Sequence, residues 1–157
     1  MIEPTTMRVL LLILTIIATP ALAETKVIKQ VMDMNFENID KMYQFIPDYV
    51  EIEPGDKVLF KGTVGSHTAH SIQGMLPNGA KPLMISGSNA QEVTFDKPGV
   101  YGIKCKVHHR HGMVALVVVG DPSVNLEEAR TAAKKRVSRR AQKKMQGLLD
   151  QAEQKVQ

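Results

Sequence analysis

Short apolar runs, rich in β-branched residues and separated by Pro and Gly, occupy the middle of this chain. The runs predicted to be strands are residues 27–34, 50–53, 58–60, 93–95, 100–103 and 114–119. Turn sequences such as Pro54-Gly55-Asp56 lie between them. Runs of this length and spacing predict an all-β sandwich. Residues 74–87 contain three Gly and two Pro and are predicted to form a long loop.

From residue 124 onward the pattern changes to helical spacing. Asn125, followed three residues later by Glu128, predicts a capping box at the start of a first helix. A second helix is predicted to begin near Ser138. Its apolar residues, spaced by three and four, form one stripe: Ala141, Met145, Leu148, Leu149, Ala152 and Val156. We expect this stripe to pack on the sandwich, because a short isolated helix is marginal in water.

The N-terminus has the pattern of a secretory signal peptide. Arg8 precedes the apolar run 9–17, and Ala21-Leu22-Ala23 resembles a cleavage site. The run is short for a membrane span, although an uncleaved anchor is an alternative. Met1 and Met7 are both possible starts. The predicted organisation is therefore a signal peptide at 1–23, a sandwich domain at 24–123 and a helical extension at 124–157, with export to the periplasm.

Charge is distributed unevenly along the chain, whose net charge is +4. Residues 24–123 hold ten Lys or Arg and eleven Asp or Glu, whereas residues 124–157 hold nine and four. The basic character thus belongs to the extension. Nucleic acid is not an expected partner of an exported protein. The basic helix face is predicted to be solvated, with an acidic partner or an anionic lipid surface as the alternatives.

The chemistry of the chain concentrates around its one cysteine, Cys105. A lone cysteine in an oxidising compartment can be a free thiol, an intermolecular bridge or a metal ligand. His108 follows after two residues and Met113 after four more. A thiolate, imidazoles and a weak thioether are the ligands of blue-copper sites. Strand, loop and strand would bring these three together, and His67 is the candidate for the second imidazole.

Several alternatives to this interpretation remain. His70 competes with His67 as the second imidazole ligand. His109 and His111 could bind a second metal, which would favour an exchangeable copper carrier or buffer over a fixed redox site. A thiol hydrolase is disfavoured, because the Cys and His of such enzymes meet across the fold. Structural zinc prefers several thiolates and no thioether.

The sequence resembles the cupredoxins, and among them it is most similar to the pseudoazurins. The resemblance rests on Val-x-Ile-x-Pro-Gly-Asp at 50–56, Pro-Gly-Val-Tyr-Gly-Ile-Lys-Cys at 98–105, the Cys-x2-His-x4-Met spacing and the two C-terminal helices. It implies a Greek-key sandwich that holds one type 1 copper through His67, Cys105, His108 and Met113. It further implies a monomeric electron carrier, not an enzyme, that cycles between Cu(I) and Cu(II). The implied partners are nitrite reductase, nitrous-oxide reductase or a c-type cytochrome.

The chain departs from the pseudoazurin pattern near the proposed ligands. Val107 stands where Pro is usual and restores a backbone N–H, which we predict to bond the thiolate and raise the reduction potential. Thr68 stands where Asn is usual, and its backbone N–H is a further candidate donor to the thiolate. His109, Arg110 and His111 replace a more neutral segment, which alters the surface that meets partners.

Overall fold

Two β-sheets face each other in the computed structural model, which describes residues 23–156 apart from residues 36, 63–66 and 88 and the side chain of residue 40. The predicted signal peptide lies outside the described residues, save for Ala23. One sheet contains β1 (Thr25–Met32), β2 (Tyr43–Ile46), β4 (Lys57–Gly62) and β7 (Gln91–Thr94), in the order β2-β1-β4-β7. The other contains β3 (Tyr49–Ile52), β5 (Thr68–Ser71), β6 (Met84–Ser86), β8 (Gly99–Lys104) and β9 (Val114–Val119), in the order β3-β9-β8-β5-β6. The pairs β1–β4 and β3–β9 are parallel, and the other pairs are antiparallel.

Strand β9 is apolar throughout because both of its faces are covered. Alternate residues enter the core between the two sheets: Ala115, Val117 and Val119. The intervening residues belong to a second core, beneath the C-terminal helices: Val114, Leu116 and Val118. All six are completely buried. The continuous apolar run in the sequence therefore reflects a strand placed between two hydrophobic layers.

The second core is completed by α2 (Leu126–Arg136) and α3 (Arg139–Glu153). The buried residues of α3 are those of the predicted stripe: Ala141, Met145, Leu148, Leu149 and Ala152. Val156 was also assigned to the stripe, but it lies beyond the end of α3 and is 49% exposed, so this part of the prediction was wrong. The predicted β-sandwich with two C-terminal helices is confirmed.

Asn125 fastens the helical extension to β8. Its Oδ1 accepts a hydrogen bond of 2.7 Å from the backbone N–H of Val100, and its Nδ2 donates one of 3.0 Å to the Val100 carbonyl. The side chain makes no capping hydrogen bond to α2, so the capping box was wrong. A Cβ on the adjacent Gly99, whose φ is +125°, would lie 2.5 Å from Asn125 Oδ1, and this close approach requires glycine.

Several short elements were not predicted from the sequence. They include α1 (Ile39–Met42), β2, β5 and β6, the last lying inside the predicted loop 74–87. Strands β2 and β6 each bury a single side chain, Phe45 and Ile85, respectively. One buried residue is too few to show the alternation of buried and exposed positions that predicts a strand. In the described part of the chain, no helix combines the length and apolarity needed to cross a membrane.

Candidate metal centre

The loop between β8 and β9 presents the cysteine and one histidine. Cys105 directly follows β8, and its backbone N–H donates a 3.0 Å hydrogen bond to the Met113 carbonyl, which closes the loop. Inside the loop a 3₁₀ helix at His109–His111 ends at Gly112, whose φ of +85° reverses the chain towards β9. This local fold brings positions 105, 108 and 113 to one end of the sandwich, as the spacing predicted.

His67 reaches the same point from β5. It immediately precedes β5, which pairs with β8 in the register His70–Lys104. His67 Nδ1 lies 3.1 Å from His108 Nδ1, and Cys105 Sγ lies 3.6 Å from that same His108 atom. The three side chains offer ligand atoms that all lie within 4.8 Å of one another. His67 and Cys105 are buried, whereas His108 is half-buried.

The chemistry of this donor set fits copper. One thiolate with two imidazoles combines a soft donor with borderline donors, a combination typical of blue-copper sites and poor for Mg²⁺ or Ca²⁺. Structural zinc sites usually contain four Cys or His ligands with several thiolates, and here a single cysteine is present. Within the described ranges, these three residues form the only cluster of three or more His, Cys, Asp or Glu side chains arranged to hold a metal.

The remaining predicted ligand, Met113, is completely buried and adjoins Cys105 through the backbone bond that closes the loop. Coordination by its thioether stays a prediction. His70 lies elsewhere: its Nε2 is 3.4 Å from Ser86 Oγ, on the neighbouring strand. His109 and His111 are also outside the cluster. The geometry thus groups His67, and not His70, with Cys105 and His108.

Tyr43 is the residue at this site that the sequence analysis missed. Its ring is stacked on His108, with centroids 3.9 Å apart and planes inclined by 4°. The same ring meets His67 edge-on at 6.2 Å and His111 at 5.3 Å. Tyr43 begins β2, a strand too short to be predicted, and no local motif relates it to the distant cysteine loop.

Thr68 supplies the polar contact to the sulfur. Its Oγ1 donates to Cys105 Sγ at 3.8 Å and accepts a 2.7 Å bond from the backbone N–H of Lys106. The expected donor was a backbone N–H of Thr68 or Val107. Among the described residues the thiol has two polar side-chain partners, Thr68 and His108, and Val107 is 59% exposed. In the described residues, neither the backbone N–H of Val107 nor that of Thr68 forms the predicted hydrogen bond with the sulfur.

The surroundings of His108 and His109 favour the neutral form of both imidazoles. Burial lowers the pKa of His108 below its ordinary value, and His67 and His111 lower it further. Burial likewise lowers the pKa of His109, next to Lys104 and Arg110. A neutral imidazole offers a ring-nitrogen lone pair, whereas an imidazolium ion offers none. The lowered pKa therefore favours the form of His108 that can act as a metal ligand.

Comparisons with known proteins agree with a copper site. The sequence profile of copper binding proteins of the plastocyanin/azurin family matches residues 32–120. A pseudoazurin of Methylorubrum extorquens is 46% identical over 90 residues, which span 57% of this chain and 61% of that protein, less than two thirds of it. A pseudoazurin of Paracoccus pantotrophus is 37% identical over 107 residues, 68% of this chain and 72% of that protein. The crystal structure of pseudoazurin from Methylobacterium extorquens matches with a TM-score of 0.70 and 36% identity, over 81% of this chain and 98% of that chain.

Proposed function

Because this chain belongs to the plastocyanin/azurin family of copper-binding proteins, and within it to the pseudoazurins, we propose that it is a single-copper electron carrier. Its ligands are His67, Cys105, His108 and Met113. In this function the protein is a carrier and not an enzyme, because the transfer of an electron makes and breaks no bond in a substrate. The ligand set and the electron-carrier function are those that the resemblance of the sequence motifs implied.

The observation that carries the proposal is the convergence of three donor atoms within 4.8 Å at one buried end of the sandwich. A buried thiol placed 3.6 Å from one imidazole, with a second imidazole 3.1 Å from the first, has a donor set suited to a soft metal. Burial of Cys105 and His67 also excludes water from their side of the site. A water-excluded cysteine is protected from oxidation and disulfide exchange.

The surrounding residues hold the donors in place. The bond from Cys105 N–H to the Met113 carbonyl ties together the two ends of the loop. Thr68 holds the sulfur, and Tyr43 fixes the plane of His108. When bound, copper supplies a one-electron Cu(I)/Cu(II) couple. A site whose donors are fixed by such contacts needs little rearrangement when one electron enters or leaves.

The partner and compartment follow from the same proposal. We expect a redox protein as partner, with nitrite reductase, nitrous-oxide reductase and c-type cytochromes as the classes suggested by family resemblance. Residues 1–23 serve as the signal peptide for export to the periplasm, followed by the sandwich at 24–123 and the helical extension at 124–157. The protein acts as a monomer, and its encounters with partners are brief, as small redox interfaces usually are.

Copper titration tests the proposal. Purified protein should take up one equivalent of Cu(II), turn intensely blue and show reversible one-electron voltammetry. Reduction should bleach the colour without releasing the metal. A colourless protein that binds copper weakly and transfers it to a chelator within seconds would instead identify a copper carrier or buffer. Protein expressed with its natural N-terminus and recovered from the periplasm without residues 1–23 would support the proposed export.

A further inference from the structure

A basic groove lies between the metal-binding loop and α3. Its volume is about 340 Å³. The residues that line it come from the 3₁₀ helix and its C-terminal glycine on one side and from α3 on the other: His111, Gly112, Arg140, Lys143, Lys144 and Gly147. None of these residues belongs to the proposed ligand set, so the groove is a feature distinct from the copper site.

The walls of the groove are held in position by specific contacts. Ser138 Oγ, at the start of α3, donates a 3.0 Å hydrogen bond to the carbonyl of His109. The stem of Arg140 packs beside Gly112, where an added Cβ would lie 3.5 Å from Arg140 Cγ. Lys144 forms a 2.9 Å ion pair with Asp48. The helix and the loop therefore form one preorganised surface.

The positive charge of this surface favours the binding of an anionic ligand. Residues 129–149 contain eight Lys or Arg and no Asp or Glu. Arg130 is compensated by Asp150 and Glu153. Lys143 is exposed and has no carboxylate partner in the part of the chain that the structure describes. A concave surface lined by one sign of charge concentrates ligands of the opposite sign.

Gly147 keeps the groove open. Glycine in a helix interior costs about 1 kcal/mol relative to alanine. A Cβ at Gly147 would have no heavy atom within 4 Å, so crowding does not explain the glycine. The missing side chain instead leaves open space along the wall that α3 contributes to the groove.

The groove also adjoins the metal centre. His111 lines it, and the His111 ring lies 5.3 Å from Tyr43, which is stacked at 3.9 Å on His108. A molecule seated in the groove is thus two ring contacts away from a proposed copper ligand.

We propose that this groove binds carboxylate side chains of an acidic segment on the redox partner. The inference rests on the electron-transfer function proposed above and assigns a docking role to the basic helical extension. A protruding carboxylate side chain can reach the recessed walls, whereas a flat anionic lipid surface meets only the rim. For this reason a protein segment fits the groove better than a membrane does.

The probe for this proposal is hexaglutamate, titrated into ¹⁵N-labelled Cu(I) protein at low ionic strength, where charge interactions extend furthest. The amides of Gly112, Lys143 and Gly147 should shift most. Gly147→Leu fills the groove without changing charge, and it should weaken binding about fivefold or more through loss of shape fit. Lys143→Glu should weaken binding by a similar factor. Lys29→Glu, the same charge reversal on β1 of the opposite sheet, should weaken binding less than about twofold.

Three outcomes would overturn the proposal. Equal weakening by Lys143→Glu and Lys29→Glu, with no effect of Gly147→Leu, would mean diffuse attraction without a docking site. Shifts elsewhere on the surface would place the peptide outside the groove. Sedimentation of the protein with vesicles of phosphatidylserine and phosphatidylcholine, without peptide shifts, would identify a lipid surface instead. The blue colour and voltammetry of the protein do not depend on these results. A failure of the docking proposal can therefore be distinguished from a failure of the proposed electron-carrier function.

Discussion

The imidazole of His108 lies flat against the phenol ring of Tyr43, with ring centroids 3.9 Å apart and planes only 4° apart. These residues are far apart in the sequence and meet because β2 begins beside the loop after β8. Stacking restricts rotation of the imidazole about its Cβ–Cγ bond. An imidazole held in this way would present the same nitrogen to a metal in both of the metal's oxidation states.

Replacing Tyr43 should therefore disturb both stability and the metal site. Tyr43→Leu should lower the free energy of unfolding by about 1–2 kcal/mol through lost stacking and apolar contact. Tyr43→Phe keeps the ring and should remain within about 0.5 kcal/mol of the parent protein. Urea unfolding measures these differences, and the blue absorption band should shift in the leucine variant only. Identical spectra and stabilities for both variants would show that stacking does not constrain His108.

A pair of histidine variants distinguishes the metal site from its surroundings. His67→Gln should abolish the blue band, because it removes a ring nitrogen 3.1 Å from His108 Nδ1. His70→Gln should retain the band, because His70 contacts Ser86 outside the donor cluster. Absorption after addition of one equivalent of Cu(II) provides the measurement. Retention of the band in the His67 variant would remove that residue from the ligand set.

Thr68 should tune the reduction potential. A hydrogen bond to the sulfur stabilises its negative charge and favours the reduced state, so its loss should lower the potential. Thr68→Val removes the hydroxyl donor, and we expect a fall on the order of 40 mV, equivalent to about 1 kcal/mol for one electron.

Thr68→Ser is the matched control, because it keeps the hydroxyl and should leave the potential nearly unchanged. Voltammetry of the two variants gives the comparison. An unchanged potential in the valine variant would mean that the contact from Thr68 Oγ1 to Cys105 Sγ, 3.8 Å long, does not stabilise the thiolate.

Asn125 should contribute strongly to stability although it lies far from the metal. Asn125→Ala leaves the N–H and carbonyl of Val100 without their partners in a buried position. We expect a loss of about 2–4 kcal/mol in the free energy of unfolding. Asn125→Asp keeps the acceptor for the Val100 N–H and should lose less. Denaturant unfolding followed by far-ultraviolet circular dichroism measures both, and an alanine variant as stable as the parent would contradict the assigned role.

Asp56 should contribute to the sensitivity of the fold to acid. Hydrogen bonds from the backbone N–H groups of Glu53 and Glu24 hold its pKa below the ordinary 3.8. Because the folded-state pKa is lowered, the stabilisation is fully present above pH 3.8 and is lost as the pH falls through the folded-state value. Asp56→Asn should therefore show a flatter decline of stability in this acidic window. Parallel curves for the variant and the parent protein would exclude the contribution.

The periodicity of apolar residues was sufficient to predict the long strands and helices from the sequence. Val114–Val119 was predicted with its observed bounds, and the stripe from Ala141 to Ala152 was predicted because helical spacing repeats through it. Strand β6 was missed because its three residues bury one side chain, Ile85. Asn125 and Glu128 had the spacing of a capping box, yet the buried backbone of Val100 competes for the asparagine side chain. The two hydrogen bonds between Asn125 and Val100, made in the tertiary structure, therefore replaced the local capping box.

The sequence by itself determined the fold class and indicated the candidate donors, because apolar periodicity and the spacing of Cys105, His108 and Met113 are properties of neighbouring residues. The tertiary structure decided which distant side chains join them. His67 and not His70 meets the loop, Thr68 contacts the sulfur through its hydroxyl, and Tyr43 covers His108. These choices depend on strand register and on how the two sheets face each other, and contacts across the sandwich leave no periodic trace along the chain.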